Sequence, residues 1–595
     1  MFKRMSNLIG IKLLTPVLCL VLMGYAGGAH ADTIGDRHVF FTSSQFEFWG
    51  LSKRAGTLQF ISAHAYWYVG DEYWSGLSFD QRIRLKAFIS TAAGEFDTRI
   101  YPTETAFFGS EPNPGIDNDA RITIFITPLK PNIGGYFDTG NEYKQSDVPS
   151  SNEREMITIT SPVVSDSSRY IAYLAHEFQH MISFNQRENI RHASDDVWLN
   201  ELRSEYAITL NGYNDSFEGS SLQRRLPSFK EHSGDSLTEW RNASADYGVI
   251  NLFGEYIAEH TSPRVIAATN RTRSTGIAGL NEALAQEGFQ ISAVELFSNW
   301  LVAVLVNDSR ASSLYAYTRP GLATVRVLPT QTILNPVDGT VYTMPSNVKD
   351  WEGRWYDISG LTPGTYNTLR ISFNSLSPSS FHVPYIVYRA DGTYTVNAFD
   401  PTSAQNALYI SQIGSAVTRV VVMPFKKDKL SDFGSDEPST PMTVSLSRVD
   451  AVPAIASTPN SANRATQTIA RGPHPEDFGL SSGDFIRVQG EANIYQINAR
   501  GFKRLIPSAA ICKAAAPGSG GCFSFVKTVL PAVQDAFELS AYVANPAQSD
   551  GTIYRAVRNQ TGAVLVTTRM QRWNFSGLNP DSIFLIAARE QKLYR

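Results

Sequence analysis

The spacing of hydrophobic residues divides the first 300 or so positions into strand-like and helix-like stretches. Aromatic and β-branched runs predict buried strands at 61–69, 122–127 and 155–160. Apolar residues that recur every three or four positions predict helices at 80–98, 171–182, 195–207, 246–257 and 293–302. The stretch 134–137 begins with two glycines and is predicted to be a loop. Together these elements predict an α+β domain over residues 32–308, built from a twisted sheet and helices.

The pattern changes at about residue 310. Short strand-like runs then alternate with turns rich in Pro, Gly, Asn and Asp, which predicts a β-sandwich over residues 309–450. Residues 451–478 are rich in Pro, Ser, Ala and Thr and are predicted to be a linker. Residues 479–595 are predicted to form a small all-β module, because the strand-like runs at 484–506 have a weak echo at 552–566. We interpret this module as one that binds a surface, a polymer or the substrate.

Composition and charge are those of a soluble globular protein. Of the 595 residues, 43% are hydrophobic and 18% are charged, and the formal net charge of −4 gives no indication of nucleic-acid binding. Residues 1–31 have the pattern of a secretory signal peptide, with Lys3, Arg4 and Lys12 before or beside an apolar centre and Ala29-His30-Ala31 as the cleavage site. A membrane anchor is the alternative, but the apolar run is short for a span. We therefore predict a secreted protein, extracellular or periplasmic, with no stable membrane insertion after cleavage.

Two cysteines remain after the predicted signal peptide. Cys512 and Cys522 flank a loop rich in Gly and Ala. An even pair in a secreted chain predicts a disulfide, and two free thiols are the alternative. Neither interpretation gives these cysteines a catalytic role.

The chemistry of the chain centres on His176-Glu177-Phe178-Gln179-His180. On a helix, His176 and His180 lie one turn apart and point to the same side, so the two imidazoles can bind one Zn²⁺. Glu177, between them, is placed to act as a general base on a water molecule held there. The apolar positions around the motif predict that the other face of this helix is buried.

A catalytic zinc needs a third protein ligand and an open fourth position. Glu201 follows His180 by 21 residues, which is enough for a second helix to fold back on the first. Glu205 lies one turn further along the same face and is predicted to accept a hydrogen bond from the second ring nitrogen of His176. His176, His180 and Glu201 are therefore the predicted metal ligands, with Glu205 supporting His176 from behind.

Two further assignments come from the surrounding sequence. A zinc hydrolase needs a donor for the oxyanion besides the metal, and Tyr247 is our first candidate for it, before Tyr206 and His232. Asp117 and Asp119 form an acidic turn that is a candidate for binding Ca²⁺, with a plain solvated turn as the alternative.

The motif and its surroundings resemble a known family. The run from His176 to Gln186, followed by Trp198-Leu199-Asn200-Glu201, is similar to the hyicolysin-type neutral metalloproteases. These are secreted bacterial zinc endopeptidases of the wider thermolysin-like group, whose third ligand is Glu. The resemblance covers roughly residues 36–305. It implies a zincin-like catalytic domain with ligands His176, His180 and Glu201 and with Glu177 as general base.

One position departs from the family pattern. The family often has Gly-Leu-Ser after the ligand glutamate, whereas this chain has Leu202-Arg203-Ser204. A larger side chain is therefore expected to pack beside the metal.

Three functions are compatible with these residues. The first is a zinc endopeptidase that hydrolyses peptide bonds in proteins or peptides. The second is an aminopeptidase with the same ligands, although the Gly-x-Met-Glu-Asn run that commonly binds the free amine is absent from the sequence. The third is a surface-binding or adhesive protein whose zinc site is vestigial.

Overall fold

The structure is a computed structural model of the 595-residue chain. The residues that it describes are 31–162, 167–309, 312–403, 407–429, 438–450, 475–489, 493–498, 501–515, 525–545, 553–559, 562–568 and 583–594. The predicted signal peptide, apart from its last residue, and most of the predicted linker lie outside these ranges.

The chain begins with a six-stranded mixed sheet in the strand order β1-β2-β3-β4-β6-β5. Strands β3, β4 and β6 are parallel to one another, and β5 closes one edge antiparallel to β6. Strands β3, β4 and most of β6 are buried, as expected of parallel strands covered on both faces. The elements up to the end of the sheet are β1 Arg37–Phe41, β2 Lys53–Ile61, β3 Ala65–Gly70, α1 Asp71–Gly76, α2 Phe79–Glu95, α3 Tyr101–Phe108, β4 Ile122–Thr127, β5 Gly135–Phe137 and β6 Met156–Thr160.

A bundle of helices follows and packs on the sheet. Its longest members, α4 and α7, are buried over most of their lengths because apolar residues occupy nearly every turn. The helices are α4 Ser167–Phe184, α5 Val197–Leu210, α6 Ser221–Glu231, α7 Ser244–His260, α8 Pro263–Thr269, α9 Gly276–Gln286 and α10 Ala293–Val306. Helix α5 packs against α4 and α7, which places its residues beside the His-Glu-x-x-His motif.

Several boundaries differ from the sequence prediction. The stretch 134–137 is not a loop, because Gly135–Phe137 pairs with β6 as the edge strand β5. The predicted strand at 61–69 begins later, at Ala65, because residues 62–64 turn around the carboxylate of Asp97. In that turn His64 stacks on the Tyr101 ring with a centroid distance of 3.7 Å, which is a structural role.

Residues 331–449 form two sheets packed face to face. One sheet has the order β13-β10-β16-β8 and the other has the order β12-β11-β14-β9-β7, with β15 paired to β11. Alternating apolar residues of both sheets fill the space between them. The strands are β7 Gln331–Leu334, β8 Val341–Val348, β9 Tyr356–Ser359, β10 Thr368–Ser375, β11 Phe381–Arg389, β12 Tyr394–Phe399, β13 Ala407–Ser411, β14 Val417–Val422, β15 Phe425–Lys426 and β16 Thr440–Val449.

The sandwich and the helical bundle share a continuous apolar core. Phe297 of α10 lies against Trp351 and Phe425, with ring centroids 5.3 Å and 4.9 Å away. The indole nitrogen of Trp355 donates to the carbonyl oxygen of Leu301 at 3.0 Å. The connecting segment 312–327 also packs on the bundle, and the first sandwich strand begins only at Gln331.

The C-terminal residues form two small sheets, in the orders β20-β17-β18-β19-β21 and β24-β23-β22-β25. The described residues of this region also include three short helices, so it is not the all-β module that the sequence predicted. The two sequence runs that echo each other lie in different sheets. Cys512 is buried on α11 and is disulfide-bonded. Cys522 lies outside the described residues, so its assignment as the partner stays a prediction. The elements are β17 Phe485–Val488, β18 Tyr495–Ile497, β19 Phe502–Leu505, α11 Ala509–Ala515, β20 Val526–Val529, α12 Pro531–Ala536, β21 Glu538–Ser540, β22 Tyr542–Ala544, β23 Ile553–Asn559, β24 Gly562–Thr568, β25 Phe584–Leu585 and α13 Ala588–Gln591.

None of the helices in the described ranges has both the length and the hydropathy that are needed to cross a membrane.

Candidate metal centre

Helix α4 carries His176, Glu177 and His180 and is fixed from its opposite face. Leu174, Phe178 and Met181 are fully buried in the core between the sheet and the bundle. These residues recur every three or four positions on one face of α4, so their burial fixes the orientation of the helix about its own axis. The two histidines are thereby turned toward α5.

Three side-chain atoms converge where α4 faces α5. The Nε2 atoms of His176 and His180 are 3.2 Å apart, and Oε2 of Glu201 is 3.2 Å from the first and 3.7 Å from the second. Ligand atoms bound at about 2.0–2.1 Å to a tetrahedral zinc are separated by about 3.4 Å. The spacing therefore fits one ion held by all three groups. No other group of His, Cys, Asp and Glu in the described ranges converges in this way.

Two features of the donor atoms also fit a cation. Oε2 of Glu201 is buried and has no hydrogen-bond partner within the described structure. The Nδ1 atom of His180 lies 3.0 Å from Oδ1 of Asn200 and 3.1 Å from Oγ of Ser204, which itself donates to Gln179. These acceptors assign the proton of the neutral His180 to Nδ1, so the lone pair of Nε2 is directed at the cluster.

Glu177 is held against the edge strand β5. Its carboxylate accepts a hydrogen bond from the backbone N–H of Phe137. A Cβ atom on Gly135 would lie 2.8 Å from Cγ of Glu177, so the absence of a side chain there lets strand and glutamate approach closely. Glu177 is only 5% exposed. Burial raises the pKa of Glu177 to about 8, and His176 opposes the rise.

Glu205 lies behind His176, but the predicted hydrogen bond is not formed. Oε1 of Glu205 is 3.7 Å from Nδ1 of His176, which is an ion-pair distance. The carboxylate is instead held by Arg225, whose Nη2 donates at 2.5 Å, and by Nδ2 of Asn251, which donates at 2.6 Å. Arg225 in turn stacks on the Tyr247 ring, 4.2 Å from its centroid. Arg225 and Asn251 therefore position the carboxylate that faces His176.

The two histidines differ in basicity. Burial lowers the pKa of His176, but the carboxylates of Glu201, Glu177 and Glu205 outweigh it and raise the pKa to about 9. Burial lowers the pKa of His180 to about 4, with Glu201 in opposition. Burial also acts to raise the pKa of Glu201, but the two histidines outweigh it and the pKa is lowered. The carboxylates of Glu201 and Glu205 therefore favour a positive charge at the position where the three atoms converge.

The start of α5 differs from the prediction. The helix begins at Val197, so Asp195 lies before its first turn. Asp195, whose side chain is 9% exposed, pairs with Arg203 and with Arg187, whose Nε lies 3.2 Å from Oδ1. These ion pairs tie the start of α5 to its own second turn and to the segment after α4, so they support the angle at which Glu201 is presented.

Leu202 stands where the hyicolysin-type proteases often have a glycine, and the structure has room for its larger side chain. It is buried, and the glycine Gly254 of α7 faces it, since a Cβ on Gly254 would lie 3.3 Å from Cγ of Leu202. The larger side chain at position 202 is thus accommodated by a glycine on the neighbouring helix.

The remaining candidates lie at different distances from the centre. Burial raises the pKa of Tyr247, and the nearby Glu201 carboxylate raises it further. The Tyr247 hydroxyl, however, donates a hydrogen bond to Oδ1 of Asn242 at 3.1 Å. Tyr206 lies in the core beside Phe107 and Glu255. In the acidic turn, Oδ2 of Asp119 accepts from the Tyr66 hydroxyl at 2.6 Å, and its Oδ1 accepts from the Arg121 N–H.

Sequence comparison relates the chain to a metalloprotease. The chain is a distant homologue of an enzyme of that class, with 24% identity over an alignment of 284 residues. That relative is the neutral metalloprotease ShpI of Staphylococcus hyicus, and the alignment covers 43% of this chain and 62% of ShpI. The chain therefore matches less than two thirds of the relative's length. No protein-family profile matches the chain.

Solved structures add only short likenesses. The mitogen of Yersinia pseudotuberculosis is 8% identical with a TM-score of 0.14, covering 19% of this chain and 89% of its own. The g-type lysozyme inhibitor PliG of Aeromonas hydrophila is 9% identical with a TM-score of 0.13, covering 20% of this chain and 96% of its own. Neither likeness bears on the fold or on the function.

Arg225 yields a test of how the centre is supported. In Arg225→Met the Glu205 carboxylate loses its cation, and we expect zinc affinity to fall by about tenfold because His176 is held less firmly. Arg225→Lys should restore most of the affinity, since a lysine keeps the charge. Zinc affinity is measured by competition with a chromogenic chelator.

Arg419→Met is the matched control. Arg419 pairs with Asp357 at 2.7 Å and stacks on the Tyr388 ring at 4.9 Å, but it lies in the sandwich. The Arg419→Met substitution should therefore leave zinc affinity unchanged. Equal losses in the Arg225 and Arg419 variants would mean that Arg225 contributes only to general stability.

Proposed function

We propose that the chain is a secreted zinc-dependent endopeptidase of the hyicolysin type. The observation that carries the proposal is the convergence of Nε2 of His176, Nε2 of His180 and Oε2 of Glu201 at 3.2–3.7 Å from one another. Distant homology to a neutral metalloprotease supports the same class. The proposed ligands are the two histidines and Glu201, and they leave one tetrahedral position for water or substrate.

Zinc is the metal that this donor set favours. Two imidazole nitrogens and one carboxylate oxygen are its usual catalytic ligands, whereas Ca²⁺ and Mg²⁺ prefer oxygen donors alone. Glu201 brings one negative charge, and a dication offsets the charge that the carboxylates concentrate around the centre. When bound, zinc supplies Lewis acidity toward a carbonyl oxygen and lowers the pKa of water.

Glu177 carries the proton in this proposal. Its carboxylate faces the same space as the ligands and is fixed by the Phe137 N–H. A dication held by the neighbouring ligands would lower the pKa of Glu177 from about 8, so that its carboxylate can take a proton from the attacking water and transfer it to the nitrogen of the leaving amine. Burial keeps bulk water from competing for that proton. Tyr247 is proposed as an oxyanion donor, which requires its hydroxyl to leave Asn242 when substrate binds.

The edge strand supports an extended peptide as substrate. Strand β5 is the terminal strand of the described sheet, and the Phe137 N–H points away from β6 toward Glu177. An unpaired strand edge beside the general base offers backbone hydrogen bonds to a peptide that lies alongside it. Such binding is independent of chain ends, which favours internal cleavage over the aminopeptidase alternative.

The test is hydrolysis by the purified protein. We expect about one zinc per chain, cleavage of casein in a gel assay and loss of cleavage with a chelator. A peptide with a blocked N-terminus should be cut as fast as the free peptide. Loss of cleavage on blocking would establish the aminopeptidase instead. Full zinc without hydrolysis of either peptide would favour the surface-binding alternative with a vestigial site.

A further inference from the structure

The loop between β1 and β2, residues 42–52, exposes three large apolar side chains at its tip. Phe48, Trp49 and Leu51 are 52%, 50% and 47% exposed. Within the described part of the chain, no other stretch of four residues exposes three large apolar side chains. We call Phe48, Trp49 and Leu51 the apolar tip. Exposed apolar groups that cluster in this way indicate a docking surface.

A buried carboxylate, Glu47, holds the apolar tip from inside the loop. Its Oε2 accepts hydrogen bonds from the backbone N–H of Trp49 at 2.7 Å and of Leu51 at 2.9 Å. Its Oε1 accepts from Nε of Arg54 at 2.8 Å, and Arg54 also pairs with Glu72. The guanidinium carbon of Arg54 lies 4.1 Å from the centroid of the Trp49 ring. These contacts fix both the backbone of the tip and the position of its largest side chain.

The backbone donors of the apolar tip are all satisfied within the protein. Besides the two N–H groups that Glu47 accepts, the N–H of Phe48 donates to the carbonyl of Pro128 at 3.2 Å. The N–H of Gly50 donates to the carbonyl of Glu47 at 3.0 Å. A buried N–H without an acceptor is costly in hydrocarbon, which offers none. The N–H groups of residues 48–51 therefore do not oppose transfer of the tip into an apolar phase.

The side chains around the apolar tip carry more positive than negative charge. The adjoining segments 42–53 and 128–134 contain Lys53 and Lys130 but a single acid, Glu47, which is buried. Nζ of Lys130 donates to a carbonyl of the loop at 3.2 Å, and Lys53 is exposed where the loop ends. A lysine beside an apolar surface can bury its stem and keep its ammonium group in the aqueous head-group layer. The charge near the tip therefore complements anionic lipid head groups.

We propose that the apolar tip docks on an anionic lipid surface, with Phe48, Trp49 and Leu51 among the acyl chains and with Lys53 and Lys130 at the head groups. Tryptophan suits the boundary of a lipid layer because its ring is apolar and its indole N–H is polar. The contact consists of one loop with three apolar side chains, so it is shallow and reversible.

The loop that carries the apolar tip rests on β5. The ring of Phe46 lies 5.4 Å from the ring of Tyr136, and the backbone N–H of Ser43 donates to the Tyr136 hydroxyl at 3.2 Å. Docking would therefore bring the strand beside Glu177 close to the same lipid surface. Lipid binding does not depend on the proposed peptidase function, because the apolar tip shares no residue with the candidate metal centre.

Lipid binding is measured on the secreted protein loaded with zinc and carrying Glu177→Gln, which prevents self-digestion. The protein should co-sediment with vesicles of phosphatidylcholine and phosphatidylglycerol in equal parts, and it should bind phosphatidylcholine alone more weakly. Trp49→Ser and Leu51→Ser should each weaken binding to the mixed vesicles by about tenfold, since each removes apolar area that the lipid buries. Lys53→Gln should weaken that binding by about fivefold and leave binding to phosphatidylcholine unchanged.

Leu376→Ser is the matched control for Leu51→Ser, because Leu376 is 89% exposed but lies in the sandwich. The control should bind the mixed vesicles as the parent does. If the parent binds neither vesicle, or if the variants of the tip bind as the parent does, the proposal is overturned. It is also overturned if light scattering shows a dimer that Trp49→Ser dissociates, since the tip would then contact a second copy of the chain. Because binding is read without substrate, a failure here is distinguishable from absence of peptidase activity.

Discussion

Glu177→Gln is expected to retain the fold and the zinc of the protein and to lose peptide hydrolysis by about 10³-fold, the scale of a lost general base. The amide oxygen of the new side chain can still accept the Phe137 N–H that holds Glu177. It cannot accept a proton from water, because an amide is not basic at neutral pH. Rates on a quenched fluorescent peptide, zinc content by atomic absorption and far-ultraviolet circular dichroism measure the three properties separately.

Glu255→Gln is the control for Glu177→Gln. Glu255 is buried on α7, where it accepts hydrogen bonds from Thr209 and Arg319 at 2.5 Å and 3.1 Å, and it takes no part in the metal centre. The control variant should cleave the peptide at nearly the rate of the parent. Unchanged cleavage by Glu177→Gln itself would remove Glu177 from the role of base.

Glu201→Gln is expected to lose most of the bound zinc, together with hydrolysis. The variant replaces a charged oxygen ligand by a neutral amide in a buried site, so zinc affinity should fall by about 100-fold or more. Zinc retained after dialysis against a weak chelator is the direct measurement. Added zinc should restore part of the activity, which a folding defect would not allow.

Glu205→Gln provides the comparison on the same helix face. Glu205 faces His176 at 3.7 Å and is not among the converging donor atoms, so its variant should lose less zinc than Glu201→Gln. The reverse order would assign the third ligand to Glu205 and would contradict the geometry of the centre.

Local sequence spacing was sufficient to predict the three converging residues. The interval between His176 and His180 sets one helix face, and the 21 residues up to Glu201 allow α5 to fold back. The sequence analysis does not predict Asn200 and Ser204, which lie within hydrogen-bond distance of Nδ1 of His180. These two residues are one helical turn apart and are close to Glu201 in the sequence. Their position next to Glu201 is the signal that was available.

Other parts of the site have no local signal. Arg225 reaches Glu205 from a different helix, and nothing in the nineteen intervening residues indicates that contact. Strand β5 has only three residues and begins with glycine, so its composition does not predict a strand. It is extended because it pairs with β6. Tertiary contacts decide these features, and a single sequence does not encode them as a periodic pattern.

The shared core of bundle and sandwich limits what can be separated from the chain. Phe297 and the Leu301 carbonyl of α10 meet Trp351, Phe425 and Trp355, all of which come after residue 350. A fragment that ended near 308 would expose this aromatic face to water and leave a buried carbonyl without its donor. We therefore expect the smallest fragment that folds around the histidines to extend through the two sheets that follow them, which would make the sandwich a structural requirement of the centre rather than an accessory.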